Sequence, residues 1–337
     1  MKDRLLNIDV LRVIAVIFVL IVHLLSNTNF WMFSYSGIVN QTNFVFFSVF
    51  LISLLETAIP LFLVVSGYCN AKKVSFEKNR LIKNVIRIYI PYIICCGIYL
   101  LTNCIVHDFS SLREYIILAI SFDLPYMWYL GAYLLLLLLM PFLNKVFVNL
   151  KQSEQKFILI VLFIFIIIPE TVNAYGGKII CDYYIQGLDF IFYYFIGCYL
   201  HDLEYSTKNL YILNFVTGII FFVYYLTLPL TQNLVVSRNH FVIFMLTITL
   251  FVDAFILFKN CKRNTVVSLF AQKSLLIYML SWNFERLFYH YFGVELFSLN
   301  FIRCFIFICV ELLTVFSFSL LLDFILKKLE DKICMII

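Results

Sequence analysis

The chain has 337 residues, of which 63% are hydrophobic and 13% are charged, and its formal net charge is +5. Many apolar runs reach about 20 residues, the length that crosses a hydrocarbon core of about 30 Å, and this excludes a soluble globular protein. In a membrane protein the distribution of Lys and Arg among loops says more than their sum. We therefore expect a lipid bilayer around the chain and no nucleic-acid partner.

Ten apolar segments are predicted to span the membrane. They lie near residues 8–26, 43–68, 81–103, 126–147, 157–169, 188–201, 210–228, 239–258, 267–290 and 299–326. Backbone groups cannot reach water inside a bilayer, and the period-2 alternation of a barrel is missing from the sequence, so the spans are predicted to be helices. The predicted fold is an all-α, polytopic integral membrane bundle of about ten transmembrane helices. Residues 1–337 are expected to form a single transmembrane domain with no appended soluble domain.

The distribution of basic residues predicts the orientation of these spans. With the N-terminus in the cytoplasm, only Arg113, Lys178 and Arg238 fall in outside loops, a ratio of inside to outside cations of roughly six to one. Positively charged loops resist translocation. The prediction is a multi-pass protein with both termini in the cytoplasm.

The first span, IDVLRVIAVIFVLIVH at residues 8–23, carries three ionisable residues. On a helix that turns about 100° per residue, His23 lies within about 20° of Arg12, and Asp9 lies about 60° to the other side. The three form one polar stripe, with His23 about 16 Å further from the cytoplasm than Arg12. One interpretation is an interfacial Asp9–Arg12 pair and a structural histidine. The other is a functional stripe that faces a cavity or a partner.

The third span begins with the basic run RLIKNVIRIYIPY at residues 80–92. Arg80 and Arg87 share a helix face, and Lys83 lies about 60° away. A positive-inside anchor explains Lys83 well. Arg87 lies deeper and favours an anionic ligand that enters from the cytoplasm, because a guanidinium group binds two phosphate oxygens at once.

Further polar residues fall inside the predicted spans, and some of them are expected to be partners for the arginines. They are Glu56, Asp189, Asp253, Glu285, Arg286 and Glu311. The fourth span opens with Tyr126, Trp128 and Tyr129, which an aromatic belt at the membrane interface explains. The ten cysteines include no C-x-x-C pair and lie mostly in apolar segments, so we expect neither a disulfide framework nor a metal site.

Several segments together resemble the acyltransferase 3 family of integral membrane acyltransferases. The segments are NIDVLRVIA followed by His23, IPLFLVVSGY ending at Tyr68, the run from Arg80 to Pro91, MWYL in the fourth span and SLLIYML in the ninth. Their order and spacing cover nearly the whole chain. The segment FYYFIGCYLHD makes the chain most similar to the branch that O-acetylates bacterial surface polysaccharides such as enterobacterial common antigen.

The resemblance implies a reaction and a set of site residues. It implies that acetyl-CoA binds from the cytoplasm as acyl donor and that a hydroxyl of an envelope glycan or lipid-linked oligosaccharide accepts the acyl group at the bacterial inner membrane. By position, Arg12 and His23 match the family's first-span catalytic residues, and Arg80 and Arg87 match its basic positions, with Lys83 between them. The further candidates are Asp9, Glu56, Trp128, Tyr278 and Glu285.

Acyl transfer from a thioester needs a base for the attacking hydroxyl or a nucleophile that carries the acyl group, and neutral imidazole performs either task near pH 7. His23 is the candidate for both roles, which the sequence leaves open. Arg12 is expected to hold Asp9, the coenzyme or the developing negative charge of the thioester carbonyl.

The sequence departs from the family pattern in the ninth span. Family members often carry His shortly after the tyrosine of that motif, where YMLSWNF has Ser281. His290 does not replace it, since nine helical residues place it on the opposite face. Two alternatives to an active acyltransferase therefore remain: a polytopic exporter of a glycan or lipid-linked sugar, and an inactive relative that acts as a membrane sensor.

Overall fold

The computed structural model describes residues 5–27, 44–108, 111–125, 127–175, 187–228, 237–293 and 301–336. These residues form helices and connecting turns, with no β-strand among them. The helices are α1 Leu6–Asn27, α2 Phe44–Leu55, α3 Ala58–Asn70, α4 Lys78–Ile105, α5 Leu112–Ile120, α6 Trp128–Asn149, α7 Gln152–Asn173, α8 Leu188–His201, α9 Thr207–Thr227, α10 Phe241–Leu257, α11 Thr265–Phe292 and α12 Phe301–Ile336. The predicted all-α fold is confirmed.

Each of the ten predicted spans coincides with helix in the structure. Eight stretches of the described residues are long and apolar enough to cross a membrane. The remaining two spans are shorter helices, α8 with 14 residues and α10 with 17. The fifth span is longer than predicted, since α7 has 22 residues. The short helix α5 follows the third span and was not predicted.

The second span is interrupted between α2 and α3, at Glu56 and Thr57. Pro60 lies in the first turn of α3, where it has no N–H to donate to the carbonyl of Glu56 and its ring crowds that carbonyl. Thr57 turns its hydroxyl back to the carbonyl of Leu54 at 2.6 Å. An ionisable residue therefore lies at a helix break inside the span Val49–Asn70.

The helices pack as two compact units. The first contains Met1–Val74 and Leu143–Gln272, and the second contains Ser75–Phe142 and Lys273–Ile337. The single transmembrane domain over residues 1–337 stays a prediction.

In the first unit, α3 packs along α8, and α1 packs against α2, α3 and α10. A buried asparagine joins three segments at one end of this unit. Asn144 donates through Nδ2 to the carbonyls of Asn70 at 2.8 Å and Lys73 at 3.0 Å, and its Oδ1 accepts the Tyr194 hydroxyl at 2.8 Å. It thereby ties the carbonyl of Asn70, the last residue of α3, and that of Lys73, in the turn that follows, to α6.

At the other end of the first unit, α10 begins beside the end of α7. The amide of Phe241 donates to the hydroxyl of Thr171 at 2.9 Å. The ring of Tyr224, near the end of α9, lies 5.1 Å from that of His240. The charge distribution predicts that this end faces away from the cytoplasm.

The second unit joins α4 to α5 and to α12. The hydroxyl of Tyr92 on α4 donates to the carbonyl of Ala119 at 2.5 Å, and the Tyr115 hydroxyl donates to the carbonyl of Cys96. Helix α4 packs against α12 and continues through Pro91 without interruption. This packing fixes α4, which carries the basic run.

Candidate active site

Asp9 is fully buried in the first turn of α1. Its Oδ2 accepts the hydroxyl of Ser268 at 2.7 Å, and the Ser268 oxygen in turn accepts Nε of Arg263 at 3.3 Å. The helix dipole at the N-terminus of α1 also favours a carboxylate there. These contacts offset the cost of burying the Asp9 charge.

Arg12 points to a different neighbour. Its Nη2 donates to Sγ of Cys69 at 3.9 Å, close to the C-terminus of α3, where the negative end of a helix dipole favours a cation. A thiol is a weak acceptor, so this contact uses little of the hydrogen-bonding capacity of the guanidinium group. Arg12 is partly exposed.

His23 lies on the same helix as Arg12, eleven residues further along. Its side chain is partly exposed, whereas its helical neighbours Leu20 and Leu24 are fully buried. The helix that underlies the predicted stripe is thus present in the structure. His23 and Arg12 are thus both partly exposed on a packed helix, while Nδ1 of His23 is buried.

Glu56 belongs to a polar cluster at the predicted extracytoplasmic end of the first unit. We call this set, formed by Glu56, Asp189, Arg238, Asn239 and His240, the Arg238 cluster. Nε of Arg238 donates to Oδ2 of Asp189 at 2.8 Å, and Nδ2 of Asn239 reaches the same oxygen at 3.3 Å. Glu56 interacts electrostatically with Arg238.

The local sequence fixes the buried carboxylate of this cluster. Asp189 lies in the first turn of α8, and its Oδ1 accepts the amides of Gly187 at 3.1 Å and Phe190 at 3.0 Å. The carbonyl of Arg238 accepts the hydroxyl of Tyr193 at 2.8 Å. The arginine is therefore held through its side chain and through its backbone.

In the second unit, the basic residues of α4 are open to solvent. Arg80 and Arg87 are exposed, and Lys83 is partly exposed. Within the described part of the chain, these three side chains make no hydrogen bond or ion pair. They are consequently available to an anion.

The aromatic candidates of the second unit differ in burial. Tyr278 is 6% exposed, and its ring lies 5.8 Å from that of Tyr129 in an edge-on arrangement. Trp128, at the start of α6, is 39% exposed and lies 6.3 Å from Tyr129. Tyr278 therefore packs inside the unit, whereas Trp128 faces outward as an interfacial aromatic residue would.

The acidic candidate Glu285 is fully buried on α11, where its Oε1 accepts the hydroxyl of Tyr289 at 2.8 Å. Its neighbour Arg286 forms an ion pair with Asp108 and a hydrogen bond with Asn103. Arg286 is thus engaged within the second unit and leaves Glu285 to other partners.

Ser281, at the position where relatives often have His, is fully buried and donates its hydroxyl to the carbonyl of Tyr278 at 2.8 Å. His290 is exposed on the same helix. The two residues thus lie on different faces of α11, as their spacing predicts.

The sequence pattern missed several of these contacts. Arg238, Asn239 and His240 were not singled out as site residues, nor was Ser268, because their partners are far away in the chain. The only local signal is a polar run, SRNH at residues 237–240, directly before an apolar helix.

With this arrangement of residues in place, comparison with known families identifies the chain. The family model described as an acyltransferase domain, Acyl_transf_3, matches residues 5–322. The chain belongs to the acyltransferase 3 family. It is therefore a membrane acyltransferase, and the predicted resemblance is confirmed at the level of the family. Comparisons with curated proteins and with solved structures found no match.

The acyltransferase 3 domain spans both compact units, since its match extends from α1 into α12. It includes the Arg12–His23 helix, the basic run of α4, the Arg238 cluster and Ser281. Each group of candidate residues therefore lies within the domain that defines the family.

Proposed function

We propose that this protein is an O-acetyltransferase that moves an acetyl group from acetyl-CoA to a hydroxyl of a cell-envelope glycan or lipid-linked oligosaccharide. The observation that carries the proposal is that α1 of an acyltransferase domain presents a partly exposed His23 and a partly exposed Arg12 on one packed helix. These are the side chains that acyl transfer between a thioester and a hydroxyl requires.

The imidazole of His23 is the proposed base or nucleophile. In one route it takes the proton of the acceptor hydroxyl while the hydroxyl oxygen attacks the thioester carbonyl. An ester C–O bond forms, the C–S bond breaks, and the proton passes to the departing thiolate. In the other route the ring nitrogen attacks the thioester first, so that an N–C bond forms and the C–S bond breaks. The acceptor hydroxyl then attacks the acetyl group, the ester C–O bond forms as the N–C bond breaks, and the hydroxyl proton passes to the thiolate. Both routes yield the acetyl ester and coenzyme A.

Arg12 binds the coenzyme in this proposal, because His23 lies about 16 Å further along the helix and an oxyanion formed beside His23 is out of reach of Arg12. Among the described residues its guanidinium group makes one weak contact, to Cys69, so its remaining N–H groups are available to the coenzyme. An arginine already paired with a carboxylate would be less suited to this task.

Arg80 and Arg87 bind the phosphates of the coenzyme, with Lys83 as an additional cation. They are open to solvent, and Arg80 lies in the first turn of α4, where the helix dipole also attracts anions. Guanidinium groups on one helix face, about 10 Å apart along the axis, suit a ligand with several phosphates.

The proposed location is the bacterial inner membrane, with both termini in the cytoplasm. This orientation places the basic run of α4 on the side where acetyl-CoA occurs. It follows from the excess of Lys and Arg in the loops on that side.

The test uses membranes that contain the full chain and acetyl-CoA labelled in the acetyl group. Label is expected in the glycan or lipid-linked oligosaccharide fraction, and alkaline hydrolysis, which cleaves O-acetyl esters, is expected to release it. Membranes without the protein give the background. If the envelope fractions contain no label above this background, the protein is not an O-acetyltransferase of those acceptors.

A further inference from the structure

Glu56 is an ionisable residue inside a membrane span, at the break between α2 and α3. Among the described residues it has neither a hydrogen bond nor an ion pair within 4.0 Å. It is partly exposed and interacts electrostatically with Arg238. An ionisable side chain at such a position faces a partner or a water-filled cavity. The break between the two helices is therefore a candidate position for contact with a ligand.

Arg238 faces the same region from the segment before α10. Its side chain is 26% exposed although it is paired with Asp189, whose side chain is 1% exposed. The ion pair with Asp189 holds the guanidinium group, and the hydrogen bond from Tyr193 holds the backbone carbonyl of the same residue. A partly exposed guanidinium group that interacts electrostatically with the carboxylate of Glu56 offers a ligand donors beside acceptors.

The two residues after Arg238 add buried polar atoms. Asn239 is 4% exposed; its Nδ2 is bonded to Asp189, and its buried Oδ1 has no hydrogen-bond partner among the described residues. His240 is 2% exposed, and its Nδ1 accepts the amide of Val242 at 3.2 Å. In that arrangement the neutral ring carries its proton on Nε2, which is also buried without a described partner.

A buried acceptor on Asn239 and a buried donor on His240 are costly when they stay unused, because each lost its hydrogen bonds to water on burial. A hydroxyl is both a donor and an acceptor, so it suits such a pair. Together with the carboxylate of Glu56 and the N–H groups of Arg238, the cluster matches a ligand with several neutral hydroxyl groups. Glu56 disfavours an anionic ligand, since Asp189 already neutralises Arg238.

We propose that the Arg238 cluster is a binding site for the sugar of the acceptor, with Glu56 and Arg238 as the residues that contact its hydroxyl groups. The assignment of this ligand as the acceptor rests on the proposed function. The predicted topology supports it, because it places the segment of Arg238 on the outer side, where the proposed glycan acceptor would be modified.

The test measures sugar binding directly. The full chain in lipid nanodiscs is titrated with radiolabelled octyl N-acetyl-β-D-glucosaminide, and unlabelled octyl glucoside and octyl galactoside serve as competitors. Saturable binding is expected for the parent protein. Glu56→Gln keeps the shape of the side chain and is expected to weaken binding at least tenfold, and Arg238→Lys is expected to weaken it as well.

Glu204→Gln is the matched control, because Glu204 is an exposed glutamate between α8 and α9. It is expected to bind the glycoside like the parent. Thermal unfolding of each variant verifies that the fold is intact. Binding that rises linearly without saturation, or that is equally strong in Glu56→Gln, overturns the sugar site.

Acetyl transfer from labelled acetyl-CoA is measured on the same samples, which separates the two proposals. Glu56-dependent sugar binding without any acetyl transfer would retain the sugar site and refute the proposed function. If acetyl transfer occurs and Glu56→Gln binds the sugar as tightly as the parent, the proposed function is retained and the sugar site is refuted.

Discussion

Gly67 on α3 and Gly197 on α8 bring their two helices into backbone contact. A Cβ atom on Gly67 would lie 2.0 Å from the carbonyl oxygen of Tyr194, and one on Gly197 would lie 2.0 Å from the carbonyl oxygen of Val64. In a bilayer, helices associate through close packing rather than through the hydrophobic effect, and small residues permit this approach. Neither glycine has room for a methyl group.

Gly197→Ala is expected to lower the thermal stability of the purified protein, because the methyl group forces the backbones apart at a cost of about 1–3 kcal/mol or more. Gly218→Ala is the matched control, since a Cβ atom at this exposed position of α9 meets nothing within 4 Å. That change is expected to be neutral or to stabilise by up to about 1 kcal/mol. Equal unfolding temperatures for the two variants would contradict the packing.

Asn144→Ala is expected to destabilise the first unit. The change removes the donors to the carbonyls of Asn70 and Lys73 and the acceptor of the Tyr194 hydroxyl, and each buried group left unsatisfied costs about 1–3 kcal/mol. Tyr194→Phe removes a single partner and should cost less. Thermal unfolding of both variants measures the difference, and a larger loss for Tyr194→Phe would argue against the central role of Asn144.

His23→Ala is expected to abolish acetyl transfer while the protein remains folded, because a partly exposed catalytic side chain contributes little to packing. A structural histidine would instead leave its partner unsatisfied and lower stability by about 1–3 kcal/mol. The measurement pairs glycan acetylation with thermal unfolding of the same preparation. His290→Ala, at an exposed position of α11, is the control and should keep full activity. Full activity in His23→Ala would exclude a catalytic role.

Arg87→Ala is expected to weaken binding of coenzyme A by about ten- to a hundredfold, since hydrogen bonds to charged groups contribute about 1.5–3 kcal/mol. Arg87→Lys should restore only part of this loss, because lysine keeps the charge without the fork. Calorimetric titration of the purified protein measures the affinities. Arg113→Ala changes an exposed arginine on α5 and should bind like the parent. If Arg87→Ala binds coenzyme A normally, the basic run is a topological anchor.

Labelling of introduced cysteines tests the orientation. A probe at Asn149, the last residue of α6, is expected to be protected from a membrane-impermeant maleimide in intact cells, and a probe at Thr231, which lies outside the described residues, is expected to react. The parent chain, with its own ten cysteines, gives the background. Reversal at either position would refute the predicted topology.

The helices themselves were predictable from the length of the apolar runs, because a bilayer leaves few other structures for such segments. The break at Glu56 was not. Pro60 is its local cause, yet α4, α6 and α7 continue through Pro91, Pro141 and Pro169. A proline alone therefore does not reveal whether neighbouring groups can satisfy the freed carbonyl.

The candidate site was predictable only within a single helix. The relation between Arg12 and His23 follows from helical geometry alone. In contrast, Asp189 meets Arg238 across 49 residues of sequence, and Asp9 meets Ser268 across 259. Helices that are apolar on every side carry no pattern that tells which faces pack together, so such pairs become visible only in three dimensions.

The contact between α3 and α8 has a consequence for membrane insertion during synthesis. Helix α8 has 14 residues and is about 21 Å long, which is less than the thickness of the hydrocarbon core. The ribosome makes α8 long after α3. Cys198 on α8, which contacts Gly67 on α3, follows it by about 130 residues in the chain. We therefore expect α3 to enter the bilayer before α8 is made, so that the short α8 finds the helix against which it packs already in place.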